Sequence, residues 1–419
     1  MQKSLLIAAA LLGSTALAAP ALAQDPAPTF TLSGTGGIIG IGVPSYDTGA
    51  FGHVASGNMI GGMIGFSGQT TVGSTGDWGL VLGINAYGSF GVGMSSWTDS
   101  VTSDTIITGV DVPTPGGGTF SVNANSVSLS VTGPGGANTG VGAAPNPPLS
   151  GTANAGGAQP NASGPGFVVA AGATSPTTGA GFVGIGDPTG GALEINSTDG
   201  SAKIRTDVTR SIFYGGADLT IGMAGTFDSA TKVQVYAGPS VRALSQGITT
   251  AFTADIVEVA APSILPTFTI ALNDQLMSTY LGGVFGGNVS FQAQPGVTFT
   301  LGAEGGVYSV HSTWNEHDTY STCCGVDSAN GASPNLSVDG PTHTADLGSR
   351  AAFSAKANGG VSWDLEGNKS IGLNGNVGYL SAVPTVNHAG VVGGAGPTTS
   401  FGWGSMITYG IAGTFTGHF

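Results

Sequence analysis

Hydrophobic and polar residues alternate with a period of two along much of this chain. Trp78, Leu80, Leu82, Ile84, Ala86, Phe90, Val92 and Met94 fall on one face of such a stretch, against Gly79, Gly83, Asn85, Ser89, Gly91, Gly93 and Ser95. A second sets Val297, Phe299, Leu301, Ala303 and Val307 against Thr298, Thr300, Gly302, Glu304 and Gly306. A third sets Phe353, Ala355, Ala357, Val361, Trp363 and Leu365 against Arg350, Ser354, Lys356, Asn358, Ser362 and Asp364. Successive side chains of a strand point to opposite faces, so this pattern predicts strands with one apolar and one small or polar face. Ten are predicted, at 28–43, 57–72, 77–96, 208–227, 232–246, 277–293, 296–311, 348–364, 370–383 and 400–418.

The connections sharpen the picture. Four are tight and rich in turn residues: "GSTGD" at 73–77, "DSAT" at 228–231, "QPG" at 294–296 and "LEGNKS" at 365–370. The others are long, at 44–56, 97–207, 247–276, 312–347 and 384–399, and the two kinds strictly alternate. That is the arrangement of a transmembrane barrel. The expected fold is therefore all-β: a closed antiparallel transmembrane β-barrel of about ten strands, with short periplasmic turns and long outer loops. Residues 119–131, "TFSVNANSVSLSV", alternate weakly and leave a twelve-stranded barrel as the alternative. The Gly/Ala/Pro-rich stretch 97–207 is expected to be a long extracellular loop, which can hang outside a barrel; the sequence leaves open whether it folds into the pore.

Composition agrees. Glycine supplies 75 of 419 residues and only 8% are charged, against about 25% in an ordinary soluble domain. Disordered chains are usually charged and poor in aromatics, which does not describe the whole of this one. Lys and Arg total 9 against 23 Asp and Glu, so nucleic acid is excluded as a partner, because phosphate binding needs clustered basic residues. Residues 1–23 carry Lys3, an apolar run and Ala21-Leu22-Ala23, the pattern of a cleaved signal peptide. Residues 24–419 would then be the exported barrel.

The last strand carries Ile407, Tyr409, Ile411, Phe415 and Phe419 on one face. It resembles the C-terminal signal of bacterial outer-membrane proteins, read by the barrel-assembly machinery. The resemblance covers one strand and a broad class. It implies the bacterial outer membrane as location, with that machinery, outer-membrane lipid and lipopolysaccharide as partners; a homo-oligomer is left open.

The candidate chemistry lies inside. Strand phase turns Asp218, Lys232, Arg242, Glu304, Arg350, Lys356 and Asp364 towards the lumen, and a Lys or Arg facing lipid at the midplane would cost about 2–4 kcal/mol. Such charges either rigidify a narrow barrel as salt bridges or form a constriction that selects solutes. The acidic excess of the outer loops would concentrate cations at the mouth. The stretch 311–331 holds His311, Glu316, His317, Asp318, Cys323 and Cys324, but adjacent cysteines are not a zinc pair. It reads as a polar outer loop with a vicinal disulfide or tight turn. No G-x-S-x-G element is present, although a rim pair of His311 with Asp318 is conceivable. No cofactor, metal or enzymatic activity is expected. The favoured function is a porin-like channel for small hydrophilic solutes or ions. The alternative is a non-conducting surface protein, anchored by the barrel and acting through 97–207.

Overall fold

A computed structural model describes residues 30–75, 78–103, 105–109, 129–132, 138–141, 152–161, 164–174, 179–187, 190–197, 200, 202–256, 267–323, 336–366, 368–393 and 398–419. Its strands begin with β1 (Phe30–Gly42), β2 (Tyr46–Asp47), β3 (Val54–Ala55), β4 (Asn58–Thr75), β5 (Trp78–Val101) and β6 (Thr105–Thr108). Then come β7 (Leu129–Thr132), β8 (Asn138–Val141), β9 (Thr152–Asn161), β10 (Gly164–Thr174), β11 (Gly179–Asp187) and β12 (Gly190–Ser197). The longest follow: β13 (Ala202–Thr226), β14 (Thr231–Ile256), β15 (Thr267–Gln294), β16 (Val297–Cys323), β17 (Leu336–Leu365), β18 (Lys369–Ala389) and β19 (Thr398–His418).

Ten strands close a barrel in the order β1-β19-β18-β17-β16-β15-β14-β13-β5-β4. All neighbours are antiparallel, and β1 seals the ring by pairing with both β19 and β4. Phe30 and Phe419 exchange backbone hydrogen bonds (3.0 and 2.8 Å), so the aromatic end of the chain is the last rung of the closing seam. Tight turns join strands at one end. At Pro295-Gly296 the glycine takes φ +80°, a conformation that favours glycine. At 227–230 Asp228 accepts from the backbone N–H groups of Ala230 and Thr231 (2.8 and 2.7 Å). The Ala230 N–H is the main reason its carboxyl sits below the usual range. The opposite end carries the long connections and is called the outer end.

The outward face is an apolar belt. On β16 it runs from Val297 to Val307, close to the roughly 9–11 residues a tilted strand needs to cross a bilayer core. Leu301 is 70% exposed and Ile64 72%, exposure that only an apolar solvent makes favourable. Replacing Leu301 by arginine is expected to cost about 2–4 kcal/mol, and arginine at inward-facing Thr298 much less; urea unfolding in lipid vesicles compares the two.

The strands outrun the belt, and there the pattern inverts. On β15, Leu281, Phe285 and Val289 face outward, whereas Phe268, Ile270, Leu272 and Leu276 face inward and are buried. On β16, Phe299, Leu301 and Val307 give way to inward Val310, Trp314 and Tyr320. On β13, Phe213, Leu219 and Ile221 give way to inward Ile204, Val208 and Ile212. Above the belt the wall is therefore polar outside and apolar inside, as in a water-soluble β-barrel. The predicted loops 247–276 and 312–347 are mostly wall. The stretch 311–323 belongs to β16, with His311 and His317 outward and Trp314, Glu316 and Asp318 inward.

What fills the apolar interior is the chain's own excursion between β5 and β13. Strands β6, β12, β11, β10 and β9 form a separate five-stranded sheet. Its Ile107, Phe182, Leu193 and Ile195 share one core with Phe252, Phe268 and Ile270 of the wall. The sheet approaches β5, β13, β14, β15, β16 and β17 together, which is achievable only from inside the ring. The placement that the sequence left open is thereby described: residues 97–101 and 202–207 of the expected loop extend barrel strands, and its sheet plugs the mouth. Most of 119–131 lies outside the described residues; β7 and β8 pair only with each other, and the barrel has ten strands.

Candidate functional site

A second inward segment reinforces the plug. The ladder between β17 and β18 ends at Ser354–Leu380, while β18 continues with β19 to Ala389. A bulge at Ala382, with φ +54°, bends β18 away from β17 and into the lumen. There it is held from across the barrel. Tyr280 donates to the Ala382 carbonyl (3.1 Å) and Gln246 to the Pro384 carbonyl (3.0 Å). His388 Nε2 meets Asp274 Oδ2 at 2.9 Å, and Trp314 Nε1 donates to Asp274 Oδ1 at 2.7 Å. Asp274 and His388 are 0% exposed, so this is a latch rather than a catalytic pair open to substrate.

The segment 43–57 completes the closure. Arg210 donates to the carbonyls of Pro44 (2.9 Å) and Ser56 (3.4 Å), and Thr250 to the Tyr46 hydroxyl (3.1 Å). Burial pushes the Tyr46 phenol far above its usual value.

Below the plug, inside the belt, lies a polar cluster. Arg242 binds Glu304 (3.1 Å) and the Tyr214 hydroxyl (3.0 Å), with its guanidinium 4.8 Å from the Tyr308 ring. Tyr236 donates to the other Glu304 oxygen (3.1 Å). Asp218 is buried and accepts from Ser240 and Asn85 (3.2 Å to the latter). These contacts link β5, β13, β14 and β16 across the interior. Beside them is a cavity of about 170 Å³, whose lining includes Arg242, Glu304, Lys356, Tyr87, Asn85 and Asn376. Towards the short-turn end the inward side chains are small, polar and half-exposed: Ser33, Ser67, Thr300, Asn358, Asn374 and Thr414.

The seven charges singled out by phase separate into three groups. Asp218, Arg242, Glu304 and Lys356 lie at or beside the cavity. Lys232 and Asp364 are exposed at the short-turn end. Arg350 stands where β17 has lost β18, its guanidinium 4.9 Å from the Trp403 ring. Of the seven, only Arg242 and Glu304 form an ion pair among the described residues, so a fully salt-bridged lumen is not formed. His311 does not meet Asp318: it faces outward, 3.8 Å from Asp346, while Asp318 is buried inside against the Tyr320 hydroxyl (2.8 Å). Ile407, Tyr409, Ile411 and Phe415 line the outer face of β19. Cys323 is disulfide-bonded, and the chain's only other cysteine is its neighbour. Sequence phase alone missed Asp274, His388 and Trp314; the inverted alternation of 267–276 signalled the inward face of Asp274, and nothing local signalled its pairing with His388.

No family model matches the chain. No curated protein matches it either. Among solved structures, the outer membrane protease OmpT from Escherichia coli aligns with 95% of this chain and 99% of its own, at 10% identity and a TM-score of 0.34. A mutant of the TodX monoaromatic hydrocarbon channel covers 95% and 91%, at 7% identity and 0.26. A Pseudomonas aeruginosa FadL homologue covers 94% and 90%, at 8% identity and 0.19. At such values a likeness carries no argument about activity; the barrel rests on its own strand ladders.

Proposed function

We propose that this protein is a bacterial outer-membrane channel for small hydrophilic solutes, held closed by its own inserted segments and passing solute without chemistry. The observation that supports the reading is the cavity in mid-belt, lined by Arg242, Glu304, Lys356 and Asn85 together with apolar side chains, with small, half-exposed polar side chains on the inward face towards the short-turn end. A barrel serving purely as an anchor gains stability by filling that space, since empty volume forfeits packing contacts. The closure above it comprises three parts of the chain itself, the inserted sheet, the bent β18 and the segment 43–57, which a conformational change would displace.

The second reading, a non-conducting surface protein, is favoured by the completeness of the outer core: Phe252, Phe268, Ile270 and Leu272 are all 0% exposed. Planar-bilayer recording separates the two. The channel reading expects brief stepwise openings from the whole protein, and long ones from a Phe268→Asp/Asp274→Ala double variant, which removes the seat of the sheet and the charged latch of β18. Silence from both proteins defeats it and leaves the anchor.

A further inference from the structure

We infer that the mid-belt cavity is a binding site for a small monocarboxylate, with Lys356 as its anion-binding group. This deepens the channel reading and rests on it for the route by which the ligand arrives.

The argument begins with the charges. Glu304 is saturated by Arg242 and Tyr236, and Arg242 is enclosed by Glu304, Tyr214 and the Tyr308 ring. Lys356 is the register partner of Glu304 on the neighbouring strand, yet no described carboxylate lies within 4 Å of its ammonium. The ammonium is 5.8 Å from the Tyr87 ring centroid. Two cations and the Glu304 carboxylate line the cavity, and the Asp218 carboxylate beside it is engaged by Ser240 and Asn85, so Lys356 is the lining cation without a carboxylate within 4 Å among the described residues. Neutral donors, Asn85, Asn376 and the Tyr87 hydroxyl, stand nearby to share the oxygens.

The remaining wall decides the rest of the ligand. Ile39, Met63, Leu380 and Met406 line the same cavity and are apolar. A short aliphatic tail would displace water from them favourably. The volume of about 170 Å³ limits the occupant to a few carbons beyond the carboxylate. A dianion would meet one cation without a close partner and the carboxylates of Glu304 and Asp218, which selects for a single negative charge.

The test is butyrate titrated into the detergent-folded barrel at low salt, followed by calorimetry. Saturable one-to-one binding is expected. Lys356→Met should weaken it at least tenfold, Lys356→Arg should largely restore it, and Lys232→Met at the short-turn end should leave it unchanged. Butylamine should not bind. Absence of saturable butyrate binding, equal binding of butylamine, or an unchanged affinity in Lys356→Met each overturns the inference. Because Lys356 is exposed to the lumen and lies outside the buried cores, its variants should fold; heat-modifiable migration verifies this. The readout is independent of conductance, so the site and the channel can fail separately: binding without openings retires the channel, and openings without binding retire the site.

Discussion

Replacing Arg242 by alanine is expected to destabilise the barrel by about 3–5 kcal/mol, the usual range when one member of a buried ion pair is removed. The side chain is 6% exposed and its partner Glu304 12%. Alanine leaves that carboxylate inside the belt with the Tyr236 hydroxyl as its remaining close donor. It also removes the guanidinium from the rings of Tyr308 and Tyr87, at 4.8 and 6.0 Å, a cation–π loss of about 0.5–2 kcal/mol. The paired variant Arg242→Met/Glu304→Gln should cost much less, because no charge is stranded. Urea unfolding followed by tyrosine fluorescence measures both. A loss under about 1 kcal/mol for Arg242→Ala, or no rescue in the pair, would show that lumen water already solvates these groups.

That contrast between belt and mouth also explains what the sequence revealed. All ten barrel strands were legible, since membrane and lumen impose opposite solvents on the two faces of each strand and alternation follows directly. The inward placement of Arg242, Glu304 and Lys356 came from the same rule. The outer extensions were missed although β15 alternates there too, as Phe268, Ile270, Leu272 and Leu276. What changes is the sense: beyond the bilayer, water is outside and the core is inside, so apolar residues move from odd to even positions within one unbroken strand. A phase flip without a bulge marks the upper edge of the belt. The inserted sheet was harder to see. Its glycine- and alanine-rich strands have the composition of a loop, and their order comes from the wall they pack against. The Asp274–His388 latch joins residues 114 apart in sequence, and no local spacing announces it.

Phe268→Asp is expected to release the inserted sheet while leaving the barrel intact. Phe268 is 0% exposed on the inward face of β15, and Gly184 of the sheet lies directly against its ring, where even a methyl group would collide with it. Removing a buried phenylalanine costs about 3–5 kcal/mol, and a buried unpaired carboxylate adds several more. The chain has a cheaper solution than bearing that cost. The sheet leaves the wall after Val101 and returns at Ala202, so it can undock while every belt rung stays formed. Limited proteolysis should then cut between residues 103 and 200, with heat-modifiable migration of the folded barrel unchanged. Thr269→Asp, one residue along on the outward, watered face, should leave the sheet resistant. A Phe268→Asp protein as resistant as its parent would mean that the sheet is not seated on this wall. Even with the sheet gone, Tyr280 and Asp274 still hold β18 across the lumen, so this variant alone should conduct no more than the parent; opening requires the latch to be cut as well.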